Sequence, residues 1–229
     1  KIRLRVLNGS NAQNFFLTLD DGSSFLQIAS DGGFLPAPVS RKELFLSPGE
    51  RAEIIIDFAG ENKRTQALVQ NQQTLLAFTV TETVVTSEDI PAVLVAIDDI
   101  PVGPDVKTRQ FDLEGMGISG TINGKYFDMD RVDEEVALNE TELWTIRNLG
   151  GMMQAGGHPF HVHGTQFQIV SRDGRNPPAE EQGYKDTVYV AVGEVVVIKV
   201  RFTRTGLFMY HCHILEHEDN GMMGQFLVK

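Results

Sequence analysis

The sequence predicts an all-β protein made of two tandem Greek-key β-sandwiches. Short segments in which apolar and polar residues alternate recur along the 229 residues, as from Lys1 to Val6, and such alternation is typical of strands with one buried face. Clusters rich in Asp, Gly and Ser separate these segments. The whole pattern also occurs twice in the same order, which predicts two domains of one architecture.

The alternating segments predict strands throughout the chain, and no long stretch has the 3.6-residue apolar period of a helix. In chain order the predicted strands cover residues 1–6, 25–28, 52–58, 75–80, 143–147, 167–171, 187–192, 195–202 and 224–228. The repeat pairs 4–8 with 144–148, 25–32 with 167–174, 49–58 with 193–202, and 76–80 with 224–228. Because the order is kept while the offset drifts slowly, as small loop insertions would make it, we expect homologous domains.

The domain boundaries follow from the repeat and from composition. Residues 88–106 contain three prolines and five acidic residues, which favours an extended linker. The first domain then covers 1–87 and the second covers 107–229. Since Lys1 matches Thr141, the first domain has no counterpart of the segment that precedes Thr141. We therefore predict that the first sandwich lacks its opening strands and expect the natural polypeptide to extend upstream.

Composition excludes several classes of function. The chain has 20 Lys and Arg against 31 Asp and Glu, a net charge of −11, whereas nucleic-acid binding needs a clustered basic surface. No apolar run approaches the ~20 residues that span a bilayer. The single cysteine, Cys212, excludes an internal disulfide and leaves a buried filler, a reactive thiol or a metal ligand.

All six histidines lie in two short windows, and the only cysteine lies in the second window. A single histidine is usually a hydrogen-bonded structural residue, but this clustering around one thiol predicts a metal site. The candidate ligands are His158, His161, His163, His211, Cys212, His213 and His217.

The spacing of these residues predicts two centres. His161 and His163 stand at positions i and i+2, and on a strand such residues point to the same side. The same holds for His211 and His213, so Cys212 between them points to the opposite side. One strand would thus serve a thiolate site on one face and an imidazole-only site on the other.

The residues available to the thiolate site favour copper. Structural zinc usually takes several cysteines, whereas one Cys, two His and a weakly bound Met form the pattern of a trigonal copper site. His217 and Met222 follow Cys212 at five-residue intervals. His158 is the remaining histidine of the first window. Met223 competes with Met222 for the axial role, and either methionine could instead pack in the core.

The motifs HPFHVHG at 158–164 and HCHILEHEDNGMM at 211–223 resemble the third and fourth copper motifs of multicopper oxidases, above all those of three-domain bacterial laccases and copper-efflux oxidases. The resemblance covers essentially the whole chain. It implies that 1–87 is most of a middle cupredoxin domain without copper ligands and that 107–229 is the C-terminal cupredoxin domain.

The resemblance also implies a role for each ligand. The type 1 copper would be held by His158, Cys212, His217 and Met222, the type 2 copper by His161, and the type 3 pair by His163, His211 and His213. Four further histidines come from the first domain in this family, so this chain would offer half of the trinuclear ligands. The implied reaction is one-electron oxidation of a small reducing substrate, coupled to four-electron reduction of O2 to water. The implied partner is an N-terminal cupredoxin domain, in the same polypeptide or in a separate chain, without which the chain would be inactive.

Acidic and methionine residues near the ligands have candidate roles. The resemblance places Glu218 near the trinuclear centre as a proton relay, although it could be a solvated loop carboxylate. We expect Asp186 near the substrate edge of His158, unless it only begins a strand. Met152 and Met153 could line a substrate mouth or fill a loop.

Other functions and properties remain open. The alternatives to an oxidase are an electron carrier that uses the type 1 site alone and a relative that kept the fold but lost copper; the imidazole pairs and the intact motifs count against them. Phenols, aromatic amines, pigments, Cu(I) and Mn(II) are all possible donors, and the lack of a long Met-rich insert weakly favours organic ones. A periplasmic or extracellular location is implied by the resemblance only.

Overall fold

The computed structural model describes residues 1–59, 65–80, 88–150 and 156–229. The strands of these residues form four sheets, two from the segment 2–79 and two from the segment 107–228. The all-β prediction is therefore confirmed, and each pair of sheets encloses an apolar core. Residues 88–106, for which we predicted a linker, contain no helix or strand.

The first sandwich contains antiparallel sheets in the orders β1-β6-β3-β4 and β5-β2-β7-β8. Its strands are β1 Ile2–Leu7, β2 Phe15–Leu19, β3 Phe25–Ser30, β4 Gly33–Arg41, β5 Glu43–Leu46, β6 Arg51–Ile56, β7 Thr65–Gln70 and β8 Gln73–Thr79. The alternating pattern explains its layers, because Ala52, Ile54 and Ile56 of β6 are buried while the residues between them are half-buried.

The second sandwich contains five-stranded sheets in the orders β10-β9-β12-β16-β14 and β11-β18-β17-β13-β15. Its elements are β9 Lys107–Met116, β10 Ser119–Ile122, β11 Glu134–Val136, β12 Thr141–Gly150, β13 His158–Val162, β14 Phe167–Arg172, the 3-10 helix Ala179–Glu181, β15 Thr187–Val190, β16 Val195–Arg201, β17 Gly206–Cys212, α1 Leu215–Asp219 and β18 Met223–Val228. Fully buried Trp144 lies at the centre of its core, with its ring centroid 4.8 Å from that of Phe111 and 5.7 Å from that of Phe226. In the described ranges no helix is long and apolar enough to cross a membrane.

The two sandwiches repeat each other down to single hydrogen bonds. The sheet order β1-β6-β3 corresponds to β12-β16-β14, and β5-β2-β7-β8 corresponds to β15-β13-β17-β18. The N–H of Gly49 donates to the carbonyl of Asn8 at 3.0 Å, and the N–H of Gly193 donates to the carbonyl of Asn148 at 2.9 Å. The second sandwich adds β9 beside β12, whereas β1 lies at the edge of its sheet.

Charged residues line the interface between the sandwiches. The buried amine of Lys185 lies 2.9 Å from a carboxylate oxygen of Asp31 and 3.2 Å from one of Glu50. Arg41 of the first sandwich pairs with Glu180 of the second. These pairs hold the turn after β3, the end of β4 and the turn after β5 against residues 180–185, which lead into β15.

Candidate metal centre

Two neighbouring strands carry the histidine windows. β13 and β17 are antiparallel neighbours in which His161 lies opposite His211 and Phe160 lies opposite Cys212. The chain leaves β17 after Cys212 and enters the short helix α1, which returns His217 towards the cysteine. Strand pairing therefore brings together residues that are about 50 positions apart in the sequence.

The buried thiol has two imidazoles beside it. The Sγ atom of Cys212 lies 3.5 Å from Nδ1 of His158 and 3.6 Å from Nδ1 of His217. His217 donates its Nε2–H to the carbonyl of Gly117 at 3.1 Å, so that its Nδ1 lone pair faces the sulfur. These separations fit donors around one ion with bonds of about 2.0–2.3 Å. The residues present therefore fit the trigonal copper site that the sequence predicts.

Met222 is the methionine that belongs to this cluster. Its side chain is fully buried, and its carbonyl accepts the N–H of Cys212 at 3.1 Å. A Cβ atom at Gly120 would lie only 2.5 Å from the Met222 sulfur, so a glycine at that position leaves room for the thioether. Met223 begins β18, lies opposite His211 and is only half-buried.

A second cluster contains only imidazoles. The candidate ligand atoms of His161, His163 and His211 lie within 4.8 Å of one another, and the Nε2 atoms of His163 and His211 are 3.0 Å apart. The ring centroid of His213 is 5.6 Å from that of His161 and 5.5 Å from that of His211. β13 ends at Val162 and β17 ends at Cys212, so His163 and His213 each lie one residue beyond the strand on which we expected them.

The two clusters are joined at one residue. Cys212 groups with His158 and His217, whereas its neighbour His211 groups with His161 and His163. The Nδ1–H of His211 donates to the carbonyl of Cys212 at 3.0 Å. The thiol and the imidazole cluster are thus connected through the backbone of Cys212 and through this hydrogen bond.

Burial keeps the ligand atoms in a defined protonation state. Burial, with a smaller effect of His217, lowers the pKa of His158 to about 4. Burial also lowers the pKa of His211 to about 3, so both imidazoles are neutral and have a free lone pair at neutral pH. Burial raises the pKa of the Cys212 thiol to about 12, so a thiolate at this position requires a bound cation.

Glu218 lies beside the imidazole cluster. One of its carboxylate oxygens is 3.2 Å from Nδ1 of His211. Burial raises the pKa of this carboxyl above its usual value, with a smaller contribution from Asp219. The side chain keeps 29% of its surface exposed, so it reaches both solvent and a candidate ligand.

Asp186 lies near the imidazole cluster and not, as we expected, at the edge of His158. β15 runs antiparallel to β13, so that Thr187 lies opposite His161 while Val190 lies opposite His158. The Nδ1–H of His161 donates to the carbonyl of Asp186 at 2.8 Å. The expected position differs because the register of β15 cannot be obtained from the sequence pattern. Met152 and Met153 lie outside the described residues.

The carboxylate of Asp186 is held by a residue that the sequence analysis missed. Arg51 of the first sandwich donates to both of its oxygens, at 2.7 and 2.6 Å. Burial alone would raise the pKa of Asp186, but the hydrogen bonds from Arg51 and His161 hold it well below its usual range. The repeat contains a signal for Arg51, because the matching position after Gly193-Glu194 is the apolar Val195.

The similarity to known proteins covers the whole chain. The sequence profile of the family described as multicopper oxidase matches residues 100–229. The multicopper oxidase mco of Staphylococcus haemolyticus is 43% identical, over 100% of this chain and 48% of that protein. The cell division protein FtsP of Yersinia pestis is 35% identical, over 99% of this chain and 50% of that protein.

A solved structure supports the same assignment. The crystal structure of a laccase from Pediococcus acidilactici superposes with a TM-score of 0.95 at 38% identity, and the match covers 100% of this chain and 50% of that one. The chain thus spans about half the length of the relatives that it matches. The buried Cys-His-His cluster, the imidazole cluster behind it and these similarities together show that the chain belongs to the multicopper oxidase family.

Proposed function

We propose that this chain supplies the electron-accepting copper site and half of the ligands of the O2-reducing copper cluster in a laccase-like oxidase. The observation that carries the proposal is the junction at Cys212. Its thiol faces one buried ligand set, while the imidazole of the adjacent residue, His211, faces another. An electron carrier with one copper would not need the second set.

The residues proposed to hold copper fall into three groups. The type 1 ion would be held by His158, Cys212, His217 and Met222, the type 2 ion by His161, and the type 3 pair by His163, His211 and His213. When bound, copper supplies one-electron redox chemistry, which lets several single-electron oxidations be coupled to the four-electron reduction of O2.

The protein contributes geometry, exclusion of water and proton supply. The side chains of His158 and Cys212 are fully buried, which keeps solvent from the sulfur. Hydrogen bonds at the far nitrogens of His217 and His161 fix which nitrogen each ring offers to an ion. Glu218, which is half-buried beside His211, would carry protons from solvent to the imidazole cluster.

The open side of the imidazole cluster supports a partner domain. A cleft of about 520 Å³ lies next to His161, His163 and Asp186 and is open to solvent. Further imidazoles could enter from this side. We propose that they come from an N-terminal cupredoxin domain of the same polypeptide or of a separate chain. The reducing substrate is proposed to be a small organic donor or a metal ion, and a periplasmic or extracellular location is proposed with it.

The substitution Cys212→Ser tests this proposal most simply. Copper-loaded protein is expected to absorb intensely in the visible region, because a thiolate bound to Cu(II) has a strong charge-transfer band. In the holoenzyme that contains this chain and its N-terminal domain, Cys212→Ser should remove that band and the oxidation of a phenolic donor, but should retain copper at the imidazole cluster. Met129 is exposed and does not belong to either ligand cluster. The variant Met129→Leu is therefore a control that should leave the band intact. An unchanged band in Cys212→Ser would refute the proposal.

A further inference from the structure

The first sandwich carries no histidine, yet one of its residues lies against the imidazole cluster of the second sandwich and another binds Asp186 beside that cluster. Arg51 stands at the start of β6, and Gly49 lies in the turn before it. Arg51 reaches Asp186, whose carbonyl binds His161. Gly49 lies directly against His213.

Arg51 is itself held in a fixed orientation. Its backbone N–H donates to a carboxylate oxygen of Asp31 at 2.7 Å. Its guanidinium donates to the carbonyls of Gly49 and Asp31, each at 3.1 Å. The same guanidinium donates to both carboxylate oxygens of Asp186. A planar two-point contact of this kind fixes the orientation of the carboxylate as well as its distance from Arg51.

Asp186 in turn fixes the ring of His161. Because a carbonyl oxygen can only accept, its 2.8 Å contact places the ring proton on Nδ1 and leaves the Nε2 lone pair towards the cluster. The hydroxyl of Thr187 lies 3.0 Å from the same Nδ1 and donates to the Asp186 carboxylate at 2.9 Å. The Asp186 carbonyl also accepts the N–H of Val162 at 3.0 Å, and a carboxylate oxygen of Asp186 lies 3.5 Å from Nδ1 of His161. The direction of that carboxylate, which Arg51 sets, therefore bears on the orientation of the His161 ring.

The backbone of the first sandwich also limits the position of His213. A Cβ atom at Gly49 would lie 2.3 Å from Cδ2 of His213, and Gly49 has a φ of +82°. The matching glycine of the repeat, Gly193, has a φ of +80° but has nothing within 4 Å of its Cβ position. Close contact with an imidazole is thus specific to the turn of the first sandwich.

Other pairs already hold the two sandwiches together. Lys185 binds Asp31 and Glu50, and Arg41 binds Glu180, without contacting a candidate ligand. The contact between Arg51 and Asp186 differs, because Asp186 is also hydrogen-bonded to the candidate ligand His161.

We propose that Arg51 and Gly49 are positioning residues for the copper cluster. The sandwich without ligands sets the ring orientation of His161 through Arg51 and Asp186, and it sets the position of His213 through Gly49. This inference rests on the proposed function, because it assigns these imidazoles to copper.

The first test compares Arg51→Met, Arg51→Lys and the control Arg41→Gln in the copper-loaded holoenzyme that contains this chain. Arg41→Gln also removes an ion pair between the sandwiches, but one whose partner, Glu180, is not bonded to a candidate ligand. Loss of a residue that orients a metal ligand typically costs about 10–100-fold in metal affinity or activity. We expect that loss in Arg51→Met, together with an altered type 2 copper signal in electron paramagnetic resonance.

Two further readouts distinguish positioning from a general loss of structure. The visible thiolate band should persist in Arg51→Met, because Cys212 faces the other cluster. Arg51→Lys keeps the charge but not the two-point contact, so its resonance signal should lie between those of the parent and Arg51→Met. An Arg51→Met signal and copper content equal to those of Arg41→Gln would overturn the role of Arg51. A parent protein without the thiolate band would instead refute the proposed function.

The second test compares Gly49→Ala with Gly193→Ala. Both substitutions place a side chain at a strained positive φ, so they share the cost of backbone strain. Only Gly49→Ala meets an imidazole. We expect Gly49→Ala to lose copper from the cluster, while Gly193→Ala retains it. Equal copper content in the two folded variants would overturn the role of Gly49, and this comparison holds even if Arg51→Met does not fold.

Discussion

Cys212 lies at the junction of two candidate metal centres, one with a thiol ligand and one with imidazole ligands only. The sulfur lies between two buried imidazoles, and the backbone carbonyl of the same residue accepts a hydrogen bond from His211. Alternation of side chains along an extended backbone is enough to produce this arrangement. The order His211-Cys212-His213 was therefore enough to predict that the thiol and the adjacent imidazoles face opposite sides of the strand.

The axial ligand can be tested at the same scale by comparing Met222→Leu with Met223→Leu. Replacing a bound thioether by a hydrocarbon should raise the potential of the type 1 site in Met222→Leu, because the axial ligand tunes that potential. Met223 lies on β18 and is half-buried, so Met223→Leu serves as the control and should leave the potential unchanged. Redox titration of the visible band measures both. A potential that falls or stays constant in Met222→Leu contradicts the assignment.

Glu218→Gln tests the proton relay. The carboxyl is partly exposed and lies beside His211, so its loss should lower turnover several-fold and change the pH profile of O2 consumption. The visible thiolate band should be unaffected. Glu216→Gln, on the same helix, is the matched control. If Glu218→Gln and Glu216→Gln had the same turnover and pH profile, the relay would be excluded.

At the scale of elements, the strands predicted from alternation are present, with ends that differ by a few residues. β6 and β16 were predictable because one face of each is buried and the other is not. Several strands were not predicted, among them β2, β4, β5, β9, β10 and β11. β7 was also missed, because five of its six residues are buried, so that no alternation marks it. α1, with five residues, is shorter than two turns and carries no periodic signal.

The candidate site was predictable where its chemistry is local and not where it depends on register. The ligands of both clusters lie in two motifs, so their identity follows from the sequence. The contact between Arg51 and Asp186 joins residues 135 positions apart in different sandwiches. The repeat singles out Arg51 against Val195, but no sequence pattern indicates that its partner is Asp186. Asp186 was placed at the wrong histidine for the same reason, since only the pairing of β15 with β13 decides which ring it meets.

For the molecule as a whole, burial of the ligands has a cost that depends on pH. His158 and His211 have pKa values of about 4 and about 3 in the folded chain, against about 6.5 in the unfolded chain. Below pH 6.5 the unfolded state therefore binds protons that the folded state does not. The stability of the metal-free protein should fall as the pH is lowered from 6.5 towards 4, by up to about 1.4 kcal/mol per pH unit for each histidine.

Urea unfolding of the metal-free protein at pH 7 and pH 5 measures this effect. His158→Phe removes one of the two groups, so its free energy of unfolding should depend less on pH than that of the parent. Identical pH dependence in the parent and His158→Phe would show that the burial of His158 does not have this consequence.

The most direct test of the whole account is anomalous X-ray diffraction at the copper edge from crystals of the copper-loaded protein. We predict one peak bounded by the Cys212 sulfur and the rings of His158 and His217. Separate density should lie on the far side of the strand, among the rings of His161, His163, His211 and His213. A lone peak enclosed by His211, Cys212 and His213 together would contradict the account.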